Sequence, residues 1–296
     1  MRAAVLGATG FIGRALVPAL AKEGEVVAVS RRGTALELPG VRSVAADLTN
    51  GESTRGALEG VDVAYHLVHS LGARNFSDLD RRVAENVATE AERAGVTQIV
   101  YLGGLGDDAP DLSPHLRSRT ETGAVLSSTT VPVTTLRAAV VIGRGSAAFE
   151  TIVALVDRLP MMVAPRWVST PTQPIALTDM IRYLTGVAGR SEALGESFDV
   201  GGPDVIAYGE MIHRIARLRG KRPLIVKVPV LSPRLSSYWL HLVTPVGASV
   251  ARPLVEGLRN PTIARDDRIR SLLPFPLMSF ADAARDALDD AREETD

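Results

Sequence analysis

The sequence predicts an α/β fold with a doubly wound parallel sheet. Short valine-rich runs alternate with segments of helical periodicity through the first half of the chain, and these runs are apolar at consecutive positions. Such strands are typical of a parallel sheet that helices cover on both faces, and the alternation implies right-handed βαβ units. The predicted strands are Ala3–Leu6, Val26–Ser30, Val41–Ala46, Val61–Leu67, Gln98–Leu102 and Val131–Ile142. The predicted helices are Phe11–Lys22, Thr54–Glu59, Phe76–Ala94 and Pro114–Ser127.

The composition excludes several classes of function. The chain has 296 residues, of which 46% are hydrophobic and 23% charged, and its formal net charge is -1. This balance is typical of a soluble globular protein and argues against nucleic-acid binding, which depends on a basic surface. The lack of cysteine excludes disulfides and thiolate sites, and no His or carboxylate spacing predicts a metal site. Because neither a signal-peptide pattern nor an apolar run of about 18 residues is present, we expect a cytoplasmic protein without a membrane span.

A glycine-rich loop follows the first predicted strand and opens the first predicted helix. Gly7 permits a tight turn, Gly10 lets the backbone approach a pyrophosphate, and Gly13 lets the helix pack closely on the strand. The phosphates would then lie at a helix N-terminus, where free N–H groups and the helix dipole favour negative charge. This context predicts a Rossmann-type dinucleotide site formed by the whole loop, Gly7-Ala8-Thr9-Gly10-Phe11-Ile12-Gly13.

The end of the second strand indicates which dinucleotide binds. An NAD site usually carries an Asp or Glu about 20 residues after the glycines, whereas this chain has Ser30-Arg31-Arg32. Guanidinium groups pair well with the extra phosphate of NADP, so we predict that the cofactor is NADP(H). The alternative is that the two arginines are merely solvated and that the cofactor is NAD. Asp47 could reach the adenine amino group with Leu48 against the ring, or Asp47 could serve only in a turn.

The second half of the chain predicts a smaller lobe over the open end of the sheet. We assign residues 1–143 to the Rossmann domain, with contributions from about 172–202, and residues 144–171 and 203–296 to a lobe on the substrate side. Thr178 or Asp179 is expected to cap a helix. The elements predicted here are the helices Ser146–Arg158, Asp179–Ala188 and Tyr208–Leu218, the strands Ile175–Leu177 and Ser197–Val200, and a charged helix or frayed end from Asp282.

Several motifs resemble the extended and atypical short-chain dehydrogenases/reductases. The glycine loop, Asp47-Leu48 and Asn86-Val87-Ala88-Thr89 carry this resemblance. A narrower likeness, to NmrA-like NAD(P)H-binding bacterial proteins of epimerase/dehydratase type, extends over nearly the whole chain. It rests on Tyr65-His66-Leu67-Val68-His69-Ser70, Tyr101-Leu102-Gly103-Gly104-Leu105-Gly106, Ser113-Pro114-His115-Leu116-Arg117-Ser118-Arg119, Arg158-Leu159-Pro160, Pro165-Arg166-Trp167, Gln173-Pro174-Ile175 and Gly201-Gly202-Pro203. The resemblance implies the fold and a nicotinamide cofactor, and it places Asn86 at a helix kink near the active site.

The chain departs from the active site that this resemblance implies. In the family, a Tyr exchanges a proton with substrate, a Lys four residues later binds ribose, and a Ser after the fifth strand positions the substrate. Here the strand ends in Gly103 and Gly104, and the helix carries His115 and Arg119, which one helical turn places on the same side. His115 would donate a proton with a pKa near neutrality and Arg119 would bind ribose or phosphate. Alternatively, His115 only lines a pocket near a helix start that Ser113 caps.

The loop after the fourth strand supplies further candidates. Ligands bind at the carboxyl ends of strands in doubly wound sheets, so Leu67, Val68 and His69 should pass near the nicotinamide ribose. His69 is a second proton-donor candidate, whereas His66, of opposite parity, should pack inside. The predicted substrate pocket comprises Ser70, Gly104, His115, Phe149, Trp167 and Gln173, and the remaining large apolar residues of the lobe, which belong either to its core or to the pocket, are Met161, Met162, Tyr238 and Trp239.

Three hypotheses follow from these residues. The first is an NADP(H)-dependent oxidoreductase that acts on a small apolar carbonyl, enone or quinone-like compound; a quinone-like acceptor needs no strong protein acid. The second is a non-catalytic dinucleotide-binding sensor or assembly protein, which the missing Tyr–Lys pair favours. The third, a nucleotide-sugar epimerase or dehydratase, is the weakest because it needs that pair. The sequence does not specify an oligomeric state.

Overall fold

The centre of the fold is a seven-stranded sheet. The computed structural model describes residues 1–34, 37–70, 72–73, 75–106, 112–164, 166–227 and 257–293. The strands of the sheet are β1 (Arg2–Leu6), β2 (Glu25–Ser30), β3 (Val41–Ala45), β4 (Val63–His66), β5 (Gln98–Gly104), β6 (Val133–Ala138) and β11 (Ser197–Val200). Their order is β11-β6-β5-β4-β1-β2-β3, and every neighbouring pair is parallel. The predicted doubly wound parallel sheet is therefore confirmed.

Helices cover both faces of this sheet. The helices nearest to it are α1 (Phe11–Leu20), α2 (Gly51–Leu58), α3 (Phe76–Ala94), α4 (Pro114–Leu126) and α6 (Leu177–Gly186). Successive residues of β1 face opposite cores: Val5 packs with Leu16 and Met180 on one face, and Leu6 packs with Leu58 on the other. Because both faces are buried, the strand has no polar side, which explains the consecutive apolar positions in its sequence.

The strand predicted over Val131–Ile142 is divided in the structure. β6 ends at Ala138, and a separate strand, β7 (Val141–Ile142), pairs with β10 (Ile175–Ala176) outside the central sheet. The chain therefore bends after β6 and passes from the sheet into the smaller lobe. Sequence periodicity did not show this bend, because the residues on both sides of it are apolar and buried in different cores.

The smaller lobe has its own core. Its elements are α5 (Ala147–Arg158), β8 (Met161–Ala164), β9 (Pro171–Thr172), β12 (Ile206–Ala207), α7 (Tyr208–Leu218), β13 (Leu224–Lys227) and α9 (Phe280–Glu293), with a 3-10 turn at Arg166–Ser169. Phe149, Met211, Ile215 and Phe280 are among its buried residues. The predicted helices at 146–158 and 208–218 lie here, and the charged segment from Asp282 is helical as far as Glu293. None of the helices in the described ranges is long and apolar enough to cross a membrane.

The helix after β10 begins earlier than expected and is not capped by a side chain. α6 starts at Leu177, and its N-cap, Ala176, makes no side-chain hydrogen bond. Both expected caps, Thr178 and Asp179, instead lie within the first turn. Asp179 is 1% exposed there and accepts a hydrogen bond from the Met278 N–H at 2.7 Å. Asp179 thus ties α6 to the C-terminal segment. A short helix in that segment, α8 (Arg268–Leu272), packs Ile269 into the core beneath the sheet.

Candidate functional site

A cavity of about 540 Å³ opens at the carboxyl ends of β1, β4 and β5. This edge includes the boundary between β1 and β4, where the strand order reverses direction and ligands bind in such sheets. The sheet side of the cavity is lined by Gly7, Gly10, Phe11, Ile12, Gly13, Leu67, His69, Gly103, Gly104, His115 and Arg119. The lobe side is lined largely by apolar residues, including Ala148, Ile152, Leu155, Trp167, Tyr208, Ile212 and Leu258.

The glycine loop has the geometry that a phosphate site requires. Gly7 has φ +96°, a left-handed conformation that side chains rarely adopt, and a Cβ on Gly13 would lie 2.3 Å from the Gly7 carbonyl oxygen. A Cβ on Gly10 would meet only that same oxygen, at 3.2 Å, and otherwise faces open space. Gly10 is also the N-cap of α1, which has no side-chain cap. The first N–H groups of α1 therefore remain available to a phosphate, and the residues fit a dinucleotide.

The turn after β2, which lies beside the glycine loop, carries exposed guanidinium groups. Arg31 and Arg32 are both exposed after β2, and the Ser30 hydroxyl accepts a hydrogen bond from the Thr34 N–H at 3.2 Å. Arg14, which the sequence analysis did not single out, donates from Nε to the Thr9 carbonyl at 2.9 Å. No carboxylate stands at the end of β2, so the positive charge of this corner is suited to an additional phosphate.

Asp47 occupies a turn. Its Oδ1 accepts hydrogen bonds from the N–H and hydroxyl of Thr49 at 3.0 and 2.7 Å, and these bonds, with the nearby charge of Arg31, lower the pKa of Asp47. Leu48 is buried in the core beside α3, and its carbonyl accepts from Asn86 Nδ2 at 2.9 Å. Asp47 therefore has the turn role that the sequence allows, and its contact with adenine stays a prediction. Asn86, on the neighbouring helix, stabilises this turn through its hydrogen bond with Leu48.

The two candidate histidines are in direct contact. His69, beyond the end of β4, and His115, in the first turn of α4, approach to 3.0 Å between His69 Nε2 and His115 Nδ1. The other ring nitrogen of His69, Nδ1, lies 2.6 Å from Oδ2 of Asp80, on α3. The Ser70 N–H donates to Oδ1 of Asp80 at 2.8 Å and the Ser118 hydroxyl to Oδ2 at 3.3 Å. The side chains of Asp80, His69 and His115 thus form one continuous row that ends at the cavity.

Burial controls the charge state of this row. Together with His69 and Arg119 nearby, it lowers the pKa of His115 to about 3, so the expected pKa near neutrality is corrected. Burial also lowers the pKa of His69, although its hydrogen bond with Asp80 opposes the shift. For Asp80, burial alone would raise the pKa, but the bonds from His69 and Ser70 outweigh it and the pKa falls below its usual value. At neutral pH the row therefore contains one carboxylate and two neutral imidazoles.

Arg119 lies beside His115 on the cavity wall. Its Nη2 donates to the Leu102 carbonyl oxygen, and its guanidinium carbon is 5.5 Å from the centroid of the Tyr101 ring. The Tyr101 hydroxyl in turn donates to the Arg119 carbonyl at 2.8 Å. Ser113 caps α4 as expected, accepting from the Leu116 N–H at 3.3 Å. These contacts fix the turn of helix that carries both His115 and Arg119.

The structure brings only part of the predicted pocket to the cavity. Gly104, His115 and Trp167 line it. Phe149 does not: it is 1% exposed and packs into the core of the smaller lobe. Gln173 is also corrected, because its buried amide donates to the Gly202 carbonyl and accepts from the Ala264 N–H, which joins two loops. Ser70 contacts Asp80 through its backbone instead of lining the cavity.

Of the remaining candidate residues, some line the cavity and others do not. Leu67 and His69 line the cavity, whereas Val68 between them packs on the core beside α3. His66 is 1% exposed, as expected from its parity. Met162 is buried in the lobe core and Met161 is exposed, while Tyr238 and Trp239 lie outside the described residues. Within the described ranges, no cluster of three His, Asp or Glu residues could hold a metal ion.

Asp80 is the main site residue that sequence reasoning missed. The available signal was a carboxylate at an apolar position of an amphipathic helix: Asp80 lies one turn before Ala84 and two turns before Val87, which are buried on the same face. Charged residues are rarely fully buried without a partner. That pattern would have indicated a polar partner, although not that the partner is His69.

Known proteins share this fold and part of this sequence. Residues 7–143 match a family described as NAD(P)H-binding. A mitochondrial NADH dehydrogenase [ubiquinone] 1 alpha subcomplex subunit 9 of Arabidopsis thaliana is 27% identical over 241 residues, covering 77% of this chain but only 60% of the plant protein. A ceramide reductase of Caulobacter vibrioides is 26% identical over 235 residues, covering 76% of this chain and 73% of the reductase.

Solved structures match over nearly the full length. An NADPH-dependent quinone oxidoreductase of Escherichia coli, in complex with NADPH, superposes with a TM-score of 0.76 at 19% identity, covering 96% of this chain and 98% of that one. The UDP-glucose 4-epimerase of Thermotoga maritima, with UDP-glucose, superposes with a TM-score of 0.77 at 13% identity, covering 100% of both chains. At these identities the likeness concerns the fold.

Fold and glycine loop together define a Rossmann-type dinucleotide-binding protein. More narrowly, residues 7–143 are an NAD(P)H-binding domain. The solved structures that share its fold include a UDP-glucose 4-epimerase and an NADPH-dependent quinone oxidoreductase. The resemblance inferred from the sequence motifs is thereby confirmed for the NAD(P)H-binding domain and for the fold.

Proposed function

We propose that this protein is an NADP(H)-dependent oxidoreductase that exchanges a hydride with a small apolar carbonyl, enone or quinone-like compound. The cavity carries this proposal, because it runs without interruption from the glycine loop to His69 and His115 and is closed on the lobe side by mostly apolar side chains. Substrate pockets are typically apolar with a few placed polar groups. Here the polar groups at the sheet edge are the two histidines and Arg119.

The residues of the loop and its neighbours divide the work of holding the cofactor. The N–H groups at the start of α1 would bind the pyrophosphate, and Arg31 and Arg32 would bind the additional phosphate of NADP. Leu67 and Arg119, which line the same cavity, would flank the nicotinamide. When bound, the nicotinamide supplies or accepts the hydride. The chain itself orients the substrate, excludes water with the lobe and moves the proton.

The names of several similar proteins favour an apolar substrate. They include a ceramide reductase, a 2-alkyl-3-oxoalkanoate reductase and a sterol demethylase protein B, the last two similar over about a third of this chain. Each name denotes action on a lipid-like molecule. The apolar wall formed by Ile152, Leu155 and Ile212 suits such a molecule better than a sugar nucleotide.

A non-catalytic NAD(P)H-binding role is the second candidate. It is favoured by the missing Tyr–Lys pair and by the similarity to a subunit of an NADH dehydrogenase. Steady NADPH consumption by the full chain, measured by nicotinamide absorbance against a panel of long-chain ketones, enones and quinones, separates the two. Turnover of any of these compounds supports the oxidoreductase; tight NADPH binding without turnover of the panel supports the second candidate.

Replacing Arg31 and Arg32 together by alanine is expected to weaken NADPH binding selectively. The lost charge-assisted hydrogen bonds correspond to about 1–3 kcal/mol. Calorimetric titration with NADPH and NADH measures the effect, and a double alanine variant of Arg217 and Arg222, exposed arginines of the smaller lobe, is the control. An equal loss of affinity for both cofactors would contradict a role for Arg31 and Arg32 in recognising the phosphate.

Replacing Arg119 by alanine is expected to weaken both cofactors alike. Because Arg119 would lie at the nicotinamide end of the bound cofactor, it would contact groups that NADPH and NADH share, and we expect both dissociation constants to rise about tenfold, or about 1.4 kcal/mol. The same titrations provide the measurement, and Arg119→Lys should recover part of the affinity. A change confined to NADPH would place Arg119 at the wrong end of the dinucleotide.

A further inference from the structure

We propose that Asp80, His69 and His115 form a single proton relay whose outer end, His115 Nε2, takes the hydroxyl proton of a secondary alcohol in the cavity and returns it to the corresponding ketone. This inference rests on the proposed oxidoreductase function and narrows its substrate to an alcohol–ketone pair. Asp80 and His69 then act as positioning residues behind His115, which alone meets the substrate.

The hydrogen bonds of the row run in one direction. Asp80 is ionised, so its Oδ2 can only accept, and His69 Nδ1, at 2.6 Å, must carry the proton. In a neutral His69, Nε2 is then an acceptor, and His115 Nδ1, at 3.0 Å, must donate to it. His115 Nε2 is consequently left with a free lone pair. His115 is among the residues that line the cavity. The buried carboxylate of Asp80, acting through the two imidazoles, therefore makes His115 Nε2 a proton acceptor for a molecule in the cavity.

A hydroxyl group is the natural partner of that acceptor. An alcohol donates its O–H to His115 Nε2, whereas a ketone needs a donor and meets one only after the row has taken up a proton. In the oxidation, the alcohol loses its carbinol hydride to the bound nicotinamide dinucleotide and its hydroxyl proton to His115 Nε2. His115 passes its Nδ1 proton to His69 Nε2, and the resulting imidazolium lies against Asp80. The alcohol thus loses one hydride, which carries two electrons, and one proton, and the reverse transfers reduce the ketone.

The surrounding charges favour this direction of proton movement. Asp80, from α3, is the anion in contact with His69, whereas Arg119 faces the histidines from α4 and His66, buried and neutral, lies behind them at the end of β4. The added proton is therefore stabilised better on His69, beside the carboxylate, than on His115, beside the guanidinium. Phe76 packs edge-on against the His69 ring at 6.3 Å, which limits rotation of that ring.

The first test reads the tautomers and does not require turnover. In the full chain labelled with ¹⁵N-histidine, long-range ¹⁵N–¹H spectra at neutral pH should show both His69 and His115 as Nδ1–H tautomers. The signals are assigned with His69→Gln and His115→Gln. In Asp80→Asn, the amide can keep its oxygen on the Ser70 N–H and turn its NH₂ toward His69 Nδ1. Both histidines should then switch to the Nε2–H tautomer, although His115 does not touch position 80.

Asp78→Asn is the matched control, since Asp78 is exposed on the same helix, and it should leave both tautomers unchanged. A His115 that is Nε2–H in the wild type, or that keeps its tautomer in Asp80→Asn, would overturn the relay. Circular dichroism and thermal unfolding show separately whether Asp80→Asn is folded.

The second test measures oxidation of apolar secondary alcohols with NADP⁺. Asp80→Asn should lower kcat by about 10²–10⁴-fold, the usual range for a general base, while the NADPH dissociation constant stays within about twofold of wild type. Asp78→Asn should retain the wild-type kcat. Retained kcat in Asp80→Asn would overturn the relay while leaving the oxidoreductase function intact. If the wild type shows the expected tautomers but oxidises no alcohol and reduces no ketone, the relay has no catalytic role. If the wild type also turns over no quinone, the proposed function is wrong as well.

Discussion

Replacing Gly10 by valine is expected to abolish NADPH binding without unfolding the protein. Gly10 has φ -76° as the N-cap of α1, so its backbone tolerates a side chain, and a Cβ there faces open space beyond its 3.2 Å contact with the Gly7 carbonyl. The valine methyl groups would occupy the volume of the pyrophosphate. We expect the dissociation constant to rise at least about 100-fold, or about 3 kcal/mol, as measured by calorimetric titration.

Two other glycines provide controls for this experiment. Gly13→Val places a Cβ 2.3 Å from the Gly7 carbonyl oxygen, so it should lower stability itself, by about 1–3 kcal/mol, in thermal unfolding followed by circular dichroism. Gly56→Val, on α2, meets nothing within 4 Å and should leave NADPH affinity unchanged. Wild-type affinity in a folded Gly10→Val protein would exclude the glycine loop as the pyrophosphate site.

Replacing His115 by alanine is expected to lower turnover by about 10²–10⁴-fold, with little change in NADPH affinity. His115 is the member of the histidine row that can meet a substrate, and its removal leaves no group to take the proton at that point. His69→Ala should have a similar effect, whereas His213→Ala, an exposed histidine of α7, should retain the wild-type rate. Steady-state kinetics on the best substrate found provides the measurement.

The pH dependence of the reaction gives a second readout of the same variants. Alcohol oxidation needs the unprotonated acceptor, so its rate should be constant above the pKa of the row and fall as pH drops through it. Because burial lowers the pKa of both His69 and His115, that fall should lie below the usual histidine value of about 6.5. His115→Ala should lose this limb. Full rate and an unchanged profile in both histidine variants would exclude them as the proton-transferring groups.

The fold was predictable because its signals are local in sequence. One example is the dinucleotide-binding motif, which consists of three adjacent segments: the strand β1, the loop from Gly7 to Gly13 and the start of α1. Strand ends were correct within one or two residues for β1, β2, β3 and β5. The bend after Ala138 was missed, because an apolar run has the same appearance whether it stays in one core or crosses to another.

The site was only partly predictable, because its contacts join distant residues. His69 and His115 were identified singly, but they are separated by 46 positions and nothing in the sequence pairs them. Their pKa values depend on burial and on Arg119, which are tertiary properties. Phe149 was assigned wrongly to the pocket. A large apolar residue in the lobe fits a core or a pocket equally well, and only the packing of α5 assigns Phe149 to the core.

The division of the cavity between sheet and lobe has a consequence for the evolution of substrate range. The histidine row and the glycine loop belong to the sheet edge, whereas the apolar wall comes from α5 and α7, through Ile152, Leu155 and Ile212. Substitutions in that wall would change the size and shape of the accepted molecule without disturbing cofactor binding or proton transfer. Libraries of variants at these three positions should therefore change which substrates the protein prefers, with little loss of catalytic rate.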